Sequence, residues 1–241
     1  MKPFILSGMS LLAIFFMLSS VQAEESKFDG LQLAHPNINR SDMVSIKRGA
    51  KFVATNCLSC HSFVYLRYNK VAQEAGITYE KMPLNVKSWP YGITPPDLSL
   101  VADVRGLNWL YTYLHSFYLD PKRPTGANNL LVPDTAMPNL LLPFQGEQVL
   151  VTEKPVRTEL FHHIQWYDLL KQTKQGSMTP EEFDATIADV VNFLGYAAEP
   201  YRAEQHKIGF AVLAFLFVFF CLMYALKKEY WKDVKRHQNK E

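Results

Sequence analysis

Cysteine is scarce in this 241-residue chain, which has three: Cys57, Cys60 and Cys221. A tetrahedral zinc site needs four ligands at short spacing; beside the first two cysteines only His61 is near, and the remaining cysteine, Cys221, lies inside an apolar run. An excess of one charge is also lacking. With 25 Lys and Arg against 23 Asp and Glu the net charge is +2, so the chain has no strongly basic face for nucleic acid, and no nucleic-acid partner is expected. No internal repeat and no low-complexity tract divides the chain, and the roughly 180 residues between its two apolar stretches suit one domain with its own core.

What is present is the run Cys57-Leu58-Ser59-Cys60-His61. Two cysteines three apart followed at once by histidine form the attachment site of a c-type haem. Each thiol adds across one vinyl group of the porphyrin to give a thioether, and the next residue places an imidazole beneath the iron as an axial ligand. A thioredoxin-like redox pair has the same Cys-x-x-Cys spacing, but belongs in a strand-to-helix turn of a βαβ unit, a context this sequence does not offer. The second axial ligand decides function, because an open iron face permits catalysis or gas binding whereas Met or His closes it for electron transfer. Candidates are Met43, Met82, Met137 and Met178, with His35, His115, His162, His163 and His206. Met137 is preferred, since it lies in a loop rich in Pro and Asn that can reach the far side of the iron; Met82, next to Pro83, is its rival. Met43 reads as part of a helical stripe. His115, on an aromatic-rich helix, reads as a core or surface histidine, and the His162-His163 pair lacks the carboxylate or cysteine partners of a metal site.

The two ends carry membrane signals. Residues 1–23 read as a signal peptide, with Lys2 in its n-region, the short apolar core Leu11 to Leu18 and the small-residue pattern Val21-Gln22-Ala23. The competing reading is an uncleaved anchor, although the core is well below the roughly 20 residues that span a bilayer. Export agrees with the haem motif, because c-type haem is attached outside the bacterial inner membrane. Near the other end, Ile208 to Leu226 is 19 residues without a charge, long enough for one transmembrane helix. Residues 24–206 hold 17 Lys and Arg against 20 Asp and Glu, a net of −3, and residues 207–241 hold 7 against 3, a net of +4. By the positive-inside rule the tail, residues 227–241, is cytoplasmic, residues 207–226 form the anchor and residues 24–206 form a periplasmic domain. The mild acidity of that domain suits a basic protein partner, and equally an ordinary solvated surface.

Within the domain, Ser41 or Asp42 can cap a helix that ends at the haem motif, with Met43, Ile46, Ala50, Val53 and Cys57 on one buried stripe. Met82 to Leu98 and Pro121 to Pro143 are rich in proline and read as loops. A second helix is predicted from Asn108 to before Pro121, on the spacing of Trp109, Leu110, Tyr113, Leu114 and Phe117. Gln148 to Thr152 reads as a short strand. A final helix is signalled by Thr179 as N-cap, Pro180 and Glu182, with Phe183, Ile187, Val190, Val191 and Leu194 on one side, ending near Glu199-Pro200.

Ser45 to Tyr68 (SIKRGAKFVATNCLSCHSFVYLRY), Pro95 to Ser99 (PPDLS), Ala136-Met137-Pro138 and Ala197 to Pro200 (AAEP), leading into one C-terminal anchor, resemble the cytochrome c1 family, the haem subunits of the cytochrome bc1 complex. The resemblance covers essentially the whole mature chain in the same order. It implies a mostly α fold, a class I cytochrome c-like haem domain with long loops plus one C-terminal transmembrane helix. It implies one covalently bound haem c, the iron ligands His61 and Met137, and Pro96 in a loop packed on the haem. Arg105 resembles the family arginine that pairs with a haem propionate, which a guanidinium can hold bidentately. The implied function is electron transfer, with no substrate bond made or broken on this chain. Electrons would pass from a Rieske iron–sulfur protein to a cytochrome c acceptor, with cytochrome b beside the anchor, in a dimeric complex of the bacterial inner membrane. The alternative is a membrane-tethered haem enzyme or sensor with an exchangeable sixth ligand, though no loop offers a clear distal acid–base pair for peroxide chemistry. Thr158 to Lys174 departs from the family pattern.

Overall fold

The computed structural model describes residues 31–84, 86, 88–151 and 164–238. The signal peptide expected over residues 1–23, the pair His162-His163 and Thr152 lie outside the described residues. Among the described residues the elements run β1 (Leu31–Gln32), α1 (Met43–Asn56), α2 (Lys70–Ala75), α3 (Val101–Arg105), α4 (Leu107–His115), β2 (Phe117–Leu119), β3 (Ala127–Asn129), α5 (Leu142–Gln145), β4 (Gly146–Leu150), β5 (Ile164–Gln165), β6 (Leu170–Gln175), α6 (Pro180–Ala198) and α7 (Arg202–Gln238). The architecture is mostly helical, as expected, with three two-stranded ribbons at its margins: β1 with β5 parallel, β2 with β3 and β4 with β6 antiparallel.

α1 begins where Asp42 accepts the free amides of Val44 at 2.9 Å and Ser45 at 3.2 Å, satisfying two of the donors a helix start leaves open. Its buried line is Ser45, Ile46, Gly49, Ala50 and Val53. Met43 is not on it: the side chain is 42% exposed. That end of the groove is occupied instead by Ser45 and the Asn39 carbonyl, both receiving hydrogen bonds from Asn192 of α6. α6 matches the capping signal closely. Thr179 Oγ1 accepts from the Glu182 amide while Glu182 accepts from the Thr179 amide, and Phe183, Ile187, Val190, Val191 and Leu194 are all buried. α1 and α6 cross at Gly49, where an added Cβ would stand 1.9 Å from the Asp189 carbonyl oxygen. The same Asp189 receives a two-pronged ion pair from Arg48, at 2.6 and 2.8 Å.

The second helix is shorter than its apolar spacing implies. It stops at His115, and Phe117 to Leu119 leave it to pair with Ala127 to Asn129. Phe117 keeps the helical interval from Tyr113 but is buried as a strand residue, an override of local pattern by tertiary pairing. The strand predicted at Gln148 to Thr152 begins at Gly146 and ends at Leu150, where its pairing with Leu170 stops. Pro121 to Pro143 is mainly irregular yet contains β3 and the first two residues of α5. The Met82 to Leu98 segment forms neither helix nor strand among its described residues.

Two apolar clusters result. The larger joins α1, α6 and the segment after the haem motif through Ile46, Val53, Phe63, Leu66, Ile187 and Phe193. The smaller gathers Leu31, Leu130, Leu131 and Leu169 against Trp109 and Tyr113 of α4. α7 belongs to neither. Its stretch from Glu204 to Lys232 is long and apolar enough to cross a membrane, and no part of its apolar window is buried within the chain.

Candidate haem site

The motif cysteines sit where α1 ends. The Cys57 amide still bonds to the Val53 carbonyl at 2.9 Å, and the amides of Cys60 and His61 both return to the Cys57 carbonyl, so one tight turn carries all three residues. Both thiols are free and half-buried. Burial first, and the neighbouring Cys60 second, push the Cys57 thiol up to about 12. That is the reverse of a dithiol redox motif, whose attacking thiol is made acidic.

His61 is 8% exposed. Its Nδ1 lies 2.8 Å from the Pro96 carbonyl oxygen, which can only accept, so the proton is on Nδ1 and Nε2 keeps its lone pair. This is the tautomer that binds a metal through Nε2. Burial lowers the proton affinity of His61, opposed by the Pro96 carbonyl and the charge of Asp97. Two free cysteines and an imidazole with a fixed free nitrogen fit a haem bound by two thioethers and one axial bond.

The Pro95 to Ser99 segment is stitched to the residues after His61. Asp97 Oδ2 accepts from Ser62 Oγ at 2.6 Å and from the Val64 amide at 3.0 Å, and its Oδ1 from the Ser99 amide at 2.9 Å. The Leu98 amide bonds to the Ser62 carbonyl at 2.9 Å, and the Tyr65 amide to Ser99 Oγ at 3.2 Å. Burial alone would raise Asp97; the hydrogen bonds of Ser62, Ser99 and Val64 outweigh it and hold the carboxyl below its usual range.

A second group forms around α4. The Arg105 guanidinium stands 4.9 Å over the Trp109 ring, Trp109 stacks on Tyr113 at 4.9 Å and 8°, and Tyr113 Oη donates to Met137 Sδ at 3.4 Å. Trp109 and Tyr113, four apart on α4, thus link Arg105, at the end of α3 across the Gly106 break, to Met137 in one constellation. The Met137 loop is shaped by two asparagines. Asn129 Oδ1 accepts the amides of Leu131 and Val132 while its Nδ2 donates to the Tyr113 carbonyl; Asn128 Oδ1 accepts the Asp134 amide at 2.8 Å. Asp134 has φ of 64°, uncommon for a residue with a Cβ, and Arg123 grips both its carbonyl and its carboxylate. Burial raises the Tyr113 phenol, against the Thr135 hydrogen bond and the Arg105 charge.

The remaining candidates fall elsewhere. Met82 is 6% exposed within the larger core. Met178 is half-buried before α6, where Thr186 Oγ1 is 3.7 Å from its sulfur. His115 is a core histidine: Nδ1 meets the Tyr111 carbonyl, Nε2 meets Asp184, and Phe183 and Trp166 pack on the ring. His35 is bonded to Asn108, and His206 is exposed on α7. Sequence reasoning missed Asp97, Tyr113, Asn128 and Asn129 as site-builders. The Asp-Leu-Ser of residues 97–99 does carry the signal of an Asx turn, a side chain bonding the amide two residues on.

Residues 86–234 match the model of the Cytochrome C1 family. Cytochrome c1 of Allochromatium vinosum is 38% identical over 239 residues, covering 91% of this chain and 96% of that protein. The ammonia monooxygenase gamma subunit of Nitrosomonas europaea is 38% identical over 216 residues, covering 82% of this chain and 86% of that protein. A mitochondrial cytochrome c1 heme protein of Schizosaccharomyces pombe is 25% identical, covering 97% and 84%. A solved chain from a hyperthermophilic respiratory complex III is 17% identical, covers 95% of both chains and superposes with a TM-score of 0.45.

Proposed function

This chain belongs to the cytochrome c1 family, and from that premise we propose that it is the haem-bearing subunit of a cytochrome bc1 complex, carrying electrons from a Rieske iron–sulfur protein to a cytochrome c. The observation that carries the reading is the His61 tautomer, with Nδ1 held by the Pro96 carbonyl and Nε2 left free. Cys57 and Cys60 would supply the thioethers, His61 and Met137 the axial bonds, and Arg105 a charge for a propionate. Bound haem c supplies a one-electron redox centre. The chain's own residues would do the rest: His61 and Met137 would ligate the iron, while Tyr113 and the two asparagines hold the methionine loop in place. Two protein ligands would leave the iron no site for substrate and so suit it to electron transfer. α7 anchors the chain in the bacterial inner membrane with its basic tail inside, beside cytochrome b, and the assembly is a dimer.

Two measurements test this. The oxidised wild type should show the weak methionine-to-iron charge-transfer band, and Met137→Leu should lose it; persistence of the band in the variant moves the ligand elsewhere. Purification in mild detergent should bring down a cytochrome b and an iron–sulfur protein. A lone monohaem protein whose reduced form binds carbon monoxide freely would instead indicate an exchangeable sixth ligand and a haem enzyme or sensor.

A further inference from the structure

Pro95 and Pro96 carry no backbone N–H, so neither can be fastened by its own amide. The Pro96 carbonyl nevertheless stands 2.8 Å from His61 Nδ1, and Pro96 itself is exposed. What fixes it must come from the next residues along the chain. Asp97 is the first of them, and its two carboxylate oxygens together collect Ser62 Oγ, the Val64 amide and the Ser99 amide. Ser62 is the neighbour of His61, so the side chain bridges the residue after the imidazole to the residue after the carbonyl. The far side of the bridge is packed into the core: Phe63, between Ser62 and Val64, is fully buried and packs on Phe193 with ring centroids 5.7 Å apart.

We infer that Asp97 is a positioning residue for His61, holding the Pro96 carbonyl on Nδ1–H through Ser62, Val64 and Ser99 and so setting the orientation and donor strength of the axial imidazole. This rests on the reading of His61 as the iron ligand. A carbonyl accepting the Nδ1 proton makes Nε2 a stronger donor, which favours ferric over ferrous iron. Loosening the carbonyl therefore raises the reduction potential and lets the ring turn.

The test compares Asp97→Ala, Asp97→Asn and Ser62→Ala with wild type in the full-length, membrane-extracted haem protein. Midpoint potentials are read by redox titration and the ligand geometry from the low-temperature electron paramagnetic resonance g-values of the oxidised form. Asp97→Ala should raise the midpoint and shift the g-values; Asp97→Asn, which retains an accepting oxygen, and Ser62→Ala, which removes one donor to the carboxylate, should do both to a smaller extent. If Asn shifts the potential as much as Ala with unchanged g-values, the effect is one of charge alone and the proposal is overturned. Unchanged potential and g-values in the variants overturn it too. Should Asp97→Ala fail to accumulate with haem, Ser62→Ala decides alone by the same two readouts. Failure of the underlying reading looks different: the wild type itself would then lack the signal of a low-spin histidine-ligated iron.

Discussion

A thioether sulfur has two lone pairs, and in this protein one already receives the Tyr113 hydroxyl at 3.4 Å. With the other directed to iron, the hydrogen bond withdraws density from the sulfur and favours ferrous iron. Tyr113→Phe should thus lower the midpoint potential by up to ~40 mV, the one-electron equivalent of a hydrogen bond of about 1 kcal/mol. A redox titration checks the sign, and a rise in potential sinks the idea. The residues proposed to bind haem by covalent or adjacent chemistry were legible because Cys57, Cys60 and His61 are neighbours in sequence. Their supports were not. Ser62 and Asp97 are 35 positions apart, and Tyr113 and Met137 are 24 apart; such pairs exist only once the chain has folded. Arg105 was readable as a cation near the site only through family resemblance, and its stack on Trp109 comes from the turn at Gly106, whose φ of 82° separates α3 from α4.

Among the elements, the contact of α1 with α6 depends on the missing side chain at position 49. A methyl group there would meet the Asp189 carbonyl oxygen at 1.9 Å, so Gly49→Ala must push the two helices apart or bend one. Overpacking of this kind costs about 1–3 kcal/mol or more, and in a domain of this size each kcal/mol lowers the melting temperature by roughly 2–4 °C. Thermal melts followed by circular dichroism should show a loss of several degrees; an unchanged melt would mean the crossing has slack. α1 and α6 were readable from sequence because their caps and apolar stripes are local and regular. The short helices α2 and α3, of 6 and 5 residues, leave too little periodicity to find. The overrun of α4 into Phe117 has a similar cause, since the pairing of β2 with β3 is fixed by residues ten positions further on.

Across the whole molecule the haem domain meets the apolar helix at Glu199. One carboxylate oxygen of Glu199 takes Arg40 at 2.8 Å and Arg202 at 2.6 Å, while Arg40 also donates to the Gly195 carbonyl that closes α6. The Arg202 hydrogen bond chiefly, aided by the Arg40 charge and against some burial, holds Glu199 below the usual carboxylate range. A depressed carboxylate stabilises the fold above its unfolded value, near 4.3, and that contribution disappears as pH falls through the lower folded value. Glu199→Gln should therefore melt earlier than wild type at pH 7, by no more than about 1 kcal/mol for a network this exposed. The gap should narrow as pH falls through the lower folded value, and a gap that does not narrow with acidification would exclude the ion pairs as its source. α7 itself, with no part of its apolar window buried in the rest of the chain, has a geometric consequence. Only Arg202 to Lys207 separate the junction from the first residue of the charge-free run, Ile208, about 9 Å of helix. On so short a tether the redox domain cannot leave the bilayer surface, and its encounters with partners become a search in a thin layer rather than in three dimensions.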